Sequence, residues 1–153
     1  MDPQNAALNG DLDALRQINP KTLSANDYQW GFMPVHYAAL SGRLHIVQFL
    51  HEIVPDTLLA ETNIGSTPAH LAAREGQLEV IQYLHEVVPD TLWAKGDNNY
   101  TSAHYAAANR HLKVIKFLHD VVPETLSAKA NNGYTTAHCA ATAGQLKMIT
   151  FLH

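Results

Sequence analysis

Ten of the 153 residues are histidines, and eight of them form two series with a 34-residue spacing, 36/70/104/138 and 51/85/119/153. Histidine is the commonest metal ligand and titrates near neutrality, so such series suggest metal binding or acid–base chemistry. Zinc needs ligand nitrogens at about 2.0–2.1 Å, and rungs held about 8–10 Å apart by helix packing cannot share one ion. In the second series each ring is expected to bond to a carbonyl or loop of its own or the next unit, because buried polar atoms need partners. A pH-sensing role is the alternative for that series. Cys139, the only cysteine, directly follows His138 and invites comparison with a thiol nucleophile. Neighbouring residues on a helix point about 100° apart and no orienting acid repeats nearby, so Cys139 reads as a structural or surface thiol. Glycine-rich phosphate loops, paired acids and spaced metal clusters are missing from the string. No catalytic, cofactor or metal site is expected.

The spacing that defines the series belongs to the whole chain. Met33-Pro-Val-His-Tyr-Ala-Ala39, Thr67-Pro-Ala-His-Leu-Ala-Ala73, Thr101-Ser-Ala-His-Tyr-Ala-Ala107 and Thr135-Thr-Ala-His-Cys-Ala-Ala141 are one line written four times. A fixed period of this length implies stacked units that present a long surface and not a pocket. Each line predicts a short first helix, as over 68–75, ended by Gly42, Gly76 or Gly144, which suit a left-handed terminus. Apolar residues at helical spacing (Leu78, Val80, Ile81, Leu84, Val87) then predict second helices over 44–54, 78–88, 112–122 and from 146. Pro55, Pro89 and Pro123 should stop them. An extended segment follows, and Asn63-Ile64-Gly65, Asn98-Asn99 and Asn132-Gly133 predict tight hairpin-like turns at its tip. Arg110 takes the place of glycine in one turn, at a cost on the order of 1 kcal/mol if its φ is positive.

The start of the chain repeats the pattern in shortened form. Ala6-Ala7, Gly10 and Leu12 match Ala38-Ala39, Gly42 and Leu44, and Pro20, Thr22 and Leu23 match Pro55, Thr57 and Leu58. This predicts a single all-α domain over 1–153, with units near 1–26, 27–60, 61–94, 95–128 and 129–153. The first would be a polar cap with one turn missing from its second helix. The last stops inside a second helix, which implies either a longer natural chain or a partner over that end.

Hydrophobic residues make up 46% of the chain, as in an ordinary folded protein. The net charge of −4 argues against nucleic acid, whose phosphates need a basic face. No apolar run reaches the ~20 residues of a membrane span. A lone cysteine and the lack of a secretory leader suit a reducing, intracellular setting. Acidic residues beyond position 99 are only Asp120 and Glu124, against Arg110, Lys113, Lys116, Lys129 and Lys147. That gradient reads either as a device for orienting a charged partner or as solvated helix faces.

Thirty-four residues is also the tetratricopeptide period, but that family's Trp, Leu-Gly and Tyr signature is absent. The Gly or Asn two residues before the Thr, the Thr-Pro-x-His-x-Ala-Ala core and the Gly six residues after the His closely resemble the ankyrin repeat. Val87-Val88-Pro89-Asp90-Thr91-Leu92 and its equivalents depart from the Gly-Ala-Asp that usually ends that family's second helix. The resemblance implies an all-α solenoid of helix-turn-helix units with projecting loops. It also implies that His36, His70, His104 and His138 hydrogen-bond loop backbone. The second series falls where the family carries a buried Leu. The implied activity is non-catalytic binding of a protein partner by a monomer, with further contacts possible at the uncapped C-terminal end. An alternative is a targeting segment of a longer enzyme or host-directed effector, bacterial or otherwise divergent, active in the cytoplasm or nucleus of a host cell.

By the same resemblance, positions that vary between units line a concave partner-binding groove. At the loop tips these are Trp30 and Phe32, Ile64, Asn98 and Tyr100, and Asn132 and Tyr134. On the first helices they are Leu40, Arg74 and Asn109, with Tyr37 and Tyr105 close by. Aromatic side chains supply most interface hot spots, because they bury large area at small entropic cost. Trp30, unmatched in other units, is the expected anchor. Phe32, Tyr100 and Tyr134 share one position and read either as contacts or as wedges between adjacent loops. Trp93 stands where other units have Ser24, Leu59 or Ser127 and suits either use.

Overall fold

A computed structural model describes residues 2–153 and contains helices without strands among them. Five helical pairs follow one another. They are α1 (Pro3–Asn9) with α2 (Leu12–Arg16), then, after the short α3 (Pro20–Leu23), α4 (Pro34–Leu40) with α5 (Leu44–Ile53). Next come α6 (Pro68–Glu75) with α7 (Leu78–Val87), α8 (Ser102–Ala108) with α9 (Leu112–Val121), and α10 (Thr136–Thr142) with α11 (Leu146–Leu152).

Local chemistry sets each boundary. Thr67 caps α6 by accepting the His70 N–H, and Pro68 supplies a preset first helical residue that needs no partner for its nitrogen. Gly76 ends the helix at φ 73. A Cβ there would lie 2.4 Å from His111 Nδ1, so backbone conformation and the next unit both demand glycine. α2 has five residues against ten in α5, a deficit of more than one turn.

First helices stack in one row, α1 on α4, α4 on α6, α6 on α8 and α8 on α10, while second helices form a looser outer row. Alanines at the inner contacts (Ala38, Ala39, Ala72, Ala73, Ala106, Ala107) are fully buried. The outer row meets through larger side chains, in the ring pairs His51–Tyr83, His85–Phe117 and His119–Phe151. Small residues let helices approach, which suits the closer contact in the inner row.

Two details differ from the sequence expectation. The second helices end one residue early, at Ile53, Val87 and Val121. Val54, Val88 and Val122 have φ near −140° and ψ near 60°, because the following proline ring excludes the helical region. The next segment is not extended. It curls into 3-10 turns at Pro55–Leu59, Pro89–Trp93 and Pro123–Leu126. In the first, the Thr57 hydroxyl donates to the Val54 carbonyl at 2.7 Å, and Leu58 drops into the core. Thr125 repeats that bond at 2.9 Å, whereas the buried Thr91 hydroxyl has no partner, so the side-chain bond supports the turn without being required for it.

The loops close as expected. Thr62, Gly96 and Ala130 donate their N–H groups to the carbonyls of Ser66, Tyr100 and Tyr134. Adjacent tips are also tied together, Asn63 N–H to Trp30 O at 3.0 Å and Asn131 N–H to Asn98 O at 2.8 Å.

Arg110 has φ 71, in the place where the other turns carry Gly10, Gly42, Gly76 and Gly144. Arg110→Gly should therefore stabilise the protein by about 1 kcal/mol, read as a rise of a few degrees in the melting midpoint. An unchanged or lower midpoint would show that the Arg110 side chain compensates its own backbone strain.

Candidate functional site

Three rings of the first histidine series are bonded to main chain on both edges. His36, His70 and His104 are buried. Their Nδ1 atoms accept the N–H groups of Met33, Thr67 and Thr101 at 2.9, 3.0 and 3.1 Å. That fixes the neutral tautomer, so each Nε2–H donates, to the carbonyls of Ala60, Ala94 and Tyr134 at 3.0, 2.9 and 2.9 Å. Each ring thus ties a helix start to the chain that enters the next unit, and neither nitrogen is free for a metal. Burial drives the His36 pKa down to about 4, and lowers those of His70 and His104 in the same direction. His138 repeats the Nδ1 bond, to Thr135 N–H at 3.1 Å, but is exposed.

The second series behaves differently from rung to rung. His51 Nδ1 meets the Tyr83 hydroxyl of the next second helix at 2.7 Å, a side-chain partner and not the expected carbonyl. At the next rung the tyrosine is replaced by Phe117. His85 packs on that ring edge-on at 5.7 Å, and its buried Nδ1 has no partner. His119 packs on Phe151 in the same way, at 5.1 Å, and contacts Asp120 at 3.4 Å. Swapping Tyr for Phe removes the hydroxyl while leaving the packing, which is why the bond does not propagate along the row.

A third set of side chains joins the units without any repeated letter. Arg43 donates to Leu8 O at 3.1 Å, Gln77 to Leu40 O at 3.1 Å and His111 to Arg74 O at 2.8 Å. Each begins a second helix and closes carbonyls left open at the end of the preceding first helix.

Cys139 is buried, and burial raises its pKa, opposite to the shift a thiolate nucleophile requires. It stands where Tyr37, Leu71 and Tyr105 stand in other units. Its smaller side chain leaves a cleft of about 240 Å³ between Tyr100, Tyr134 and Thr142. Among the described residues no group of three or more His, Cys, Asp or Glu is arranged to hold a metal ion. No described helix is long and apolar enough to cross a membrane.

The variable positions fall into two groups. Trp30 and Ile64 project from adjacent tips with 56% and 55% exposure. Phe32 and Tyr100 are half-buried, and each stacks on the histidine of its own unit, Phe32 on His36 at 5.5 Å and Tyr100 on His104 at 5.0 Å. Tyr134 stacks likewise on His138, at 5.3 Å, and keeps 40% exposure. Each of these rings thus packs against the histidine of its own unit. Loop 61–66 has Ser66 in that place, and the ring lying against His70 is Tyr105 from the next pair, at 5.5 Å. Leu40 and Arg74 are half-exposed, with Arg74 paired to Glu75 at 3.0 Å. Asn98, Asn109 and Asn132 are exposed. Asn109 bonds to Tyr105 O, and Asn132 accepts the Tyr134 N–H.

Comparison between units misses Asp27 and Tyr28. One Asp27 oxygen accepts the N–H groups of Trp30 and Gly31 at 2.7 and 3.0 Å, and the other accepts the Tyr37 hydroxyl at 2.8 Å. Burial works to raise the Asp27 pKa, but these bonds together hold it below the usual value. The Tyr37 pKa is pushed up to about 12, by burial and then by Asp27. Asp27 thereby fixes the tip that carries Trp30. The equivalent residues are Glu61, Lys95 and Lys129, so no repetition marks it. An Asp three residues before Trp-Gly, as in an Asx turn, is the one local signal. Tyr28 is fully exposed beside it.

A family model described as ankyrin repeats (3 copies) matches residues 4–91 and 85–153. No curated protein matches the chain.

Proposed function

Because this chain belongs to the ankyrin-repeat family, whose members are generally protein–protein interaction modules, we propose that it holds a protein partner across its loop tips and inner helices, without catalysis of its own. One observation carries the reading. Trp30 and Ile64 are large apolar side chains, more than half exposed, on two tips joined by a main-chain hydrogen bond. Exposed apolar groups on a braced scaffold lose little entropy on binding, the condition for an interface anchor. Tyr37, Tyr105 and Tyr134 extend that surface, and Leu40, Arg74, Asn98, Asn109 and Asn132 surround it. Phe32 and Tyr100 support it from beneath. The free, buried Cys139 suits a reducing compartment. Tight inner packing suits a monomer.

The test is Trp30→Ala combined with Ile64→Ala, scored for capture of partner from cell extract and for melting midpoint. Capture should fall by about thirtyfold or more, about 2 kcal/mol, with the midpoint within a degree or two of wild type. Unchanged capture by the folded double variant would remove the tips from the interface.

A further inference from the structure

The second helices α5, α7 and α9 each hand over to a 3-10 turn, and these turns form an edge that the inner surface does not use. In a 3-10 helix, residues three apart lie on the same side. Asp56 and Leu59 therefore share one side of Pro55–Leu59, and Asp90 and Trp93 one side of Pro89–Trp93. Leu59 is 51% exposed and Trp93 48%. The fold does not demand apolar groups there. The equivalent residues are Ser24 and Ser127, and the core is filled instead by Leu58 and Leu92.

Exposed carboxylates recur along the same units in two rows. Asp56, Asp90 and Glu124 open the turns, while Glu52, Glu86 and Asp120 lie in the last turns of α5, α7 and α9. All are exposed, and of these six carboxylates only Asp120 meets a basic side chain, the His119 ring at 3.4 Å. A negative charge in the last turn opposes the helix dipole, so helix stability does not account for the second row.

We infer that this edge docks a lysine- or arginine-bearing amphipathic helix of a partner protein. Its apolar side chains cover Leu59 and Trp93, and its cations face the two acidic rows. Stacked units set the two anchors about 8–10 Å apart, close to the ~10.5 Å rise over seven residues of an α-helix. The bound helix therefore presents apolar residues at i and i+7. This site is independent of the inner surface.

The test uses a labelled peptide of ~18 residues with leucine at seven-residue spacing and lysine on both flanks. Its anisotropy should report binding, with Trp93 emission shifting to shorter wavelength in a Trp30→Phe background. Leu59→Ser with Trp93→Ser introduces the residue that other turns already carry. It should weaken binding about tenfold or more, as should Asp56→Asn with Asp90→Asn. Trp30→Ala with Ile64→Ala should leave binding unchanged. The inference is overturned if the peptide does not bind, or if the double serine variant binds it normally. Equal binding by a lysine peptide without leucine would also overturn it, because charge alone would then suffice. So would sedimentation showing self-association that the serine variant abolishes, since the occupant would then be a second copy.

Discussion

His70→Ala should lower stability by about 3–5 kcal/mol, a drop on the order of 10 °C in the melting midpoint. The ring bridges Thr67 N–H and Ala94 O in a fully enclosed site. Removing it strands a buried donor and a buried acceptor, each costing about 1–3 kcal/mol, and leaves a cavity against the Tyr105 ring. His138→Ala is the internal comparison. His138 makes the same Nδ1 bond but is exposed, so its loss should cost no more than about 1 kcal/mol. Equal losses at the two positions would mean that the histidine only caps its own helix and that the link to the following chain contributes nothing.

Acidification should produce the second large effect, through the same series. An unfolded histidine titrates near 6.5, while His36 is held to about 4 and His70 and His104 are lowered as well. Between those values the unfolded chain takes up protons that the folded chain refuses. Stability is therefore complete above about pH 6.5 and is lost as the pH falls toward 4. His36 alone accounts for on the order of 2 kcal/mol at pH 5, and the other two rings add to it. Geometry supports the direction, since a proton on Nδ1 would face a backbone N–H that already points at it. Urea midpoints at pH 7.5, 6 and 5 should decline steadily. A flat series would show that the rings find other partners when charged. The sequence directs attention to the second histidine series as the titrating one, whereas burial places the acid-sensitive groups in the first.

What the sequence discloses follows from how local the deciding physics is. The first helix 68–75 is legible to the residue, because Thr67, Pro68 and Gly76 fix both ends within a few bonds. The second helices are legible except for the valine that precedes proline. The 3-10 turns are not, since an X-Pro pair reads as extended until the Thr57, Thr91 and Thr125 N–H groups are seen to reach back to the valine carbonyls before each proline. At the candidate site, Trp30 and Ile64 stand out because they differ from their counterparts, and both project into solvent. The burial of Tyr100 and the cleft over Cys139 depend on the size of a side chain in the adjoining unit, which no single line of the repeat encodes. Arg43, Gln77 and His111 escape notice for the opposite reason, since three different letters make one bond.

Those three bonds all run backward, from a later pair to the end of an earlier helix. On the ribosome, where the chain emerges N-terminus first, each hairpin would exit with open carbonyls and be closed only by the arrival of its successor. Maturation of the nascent array would advance like a zip with its slider one tooth behind the newest segment, and the freshest hairpin would always be the loosest.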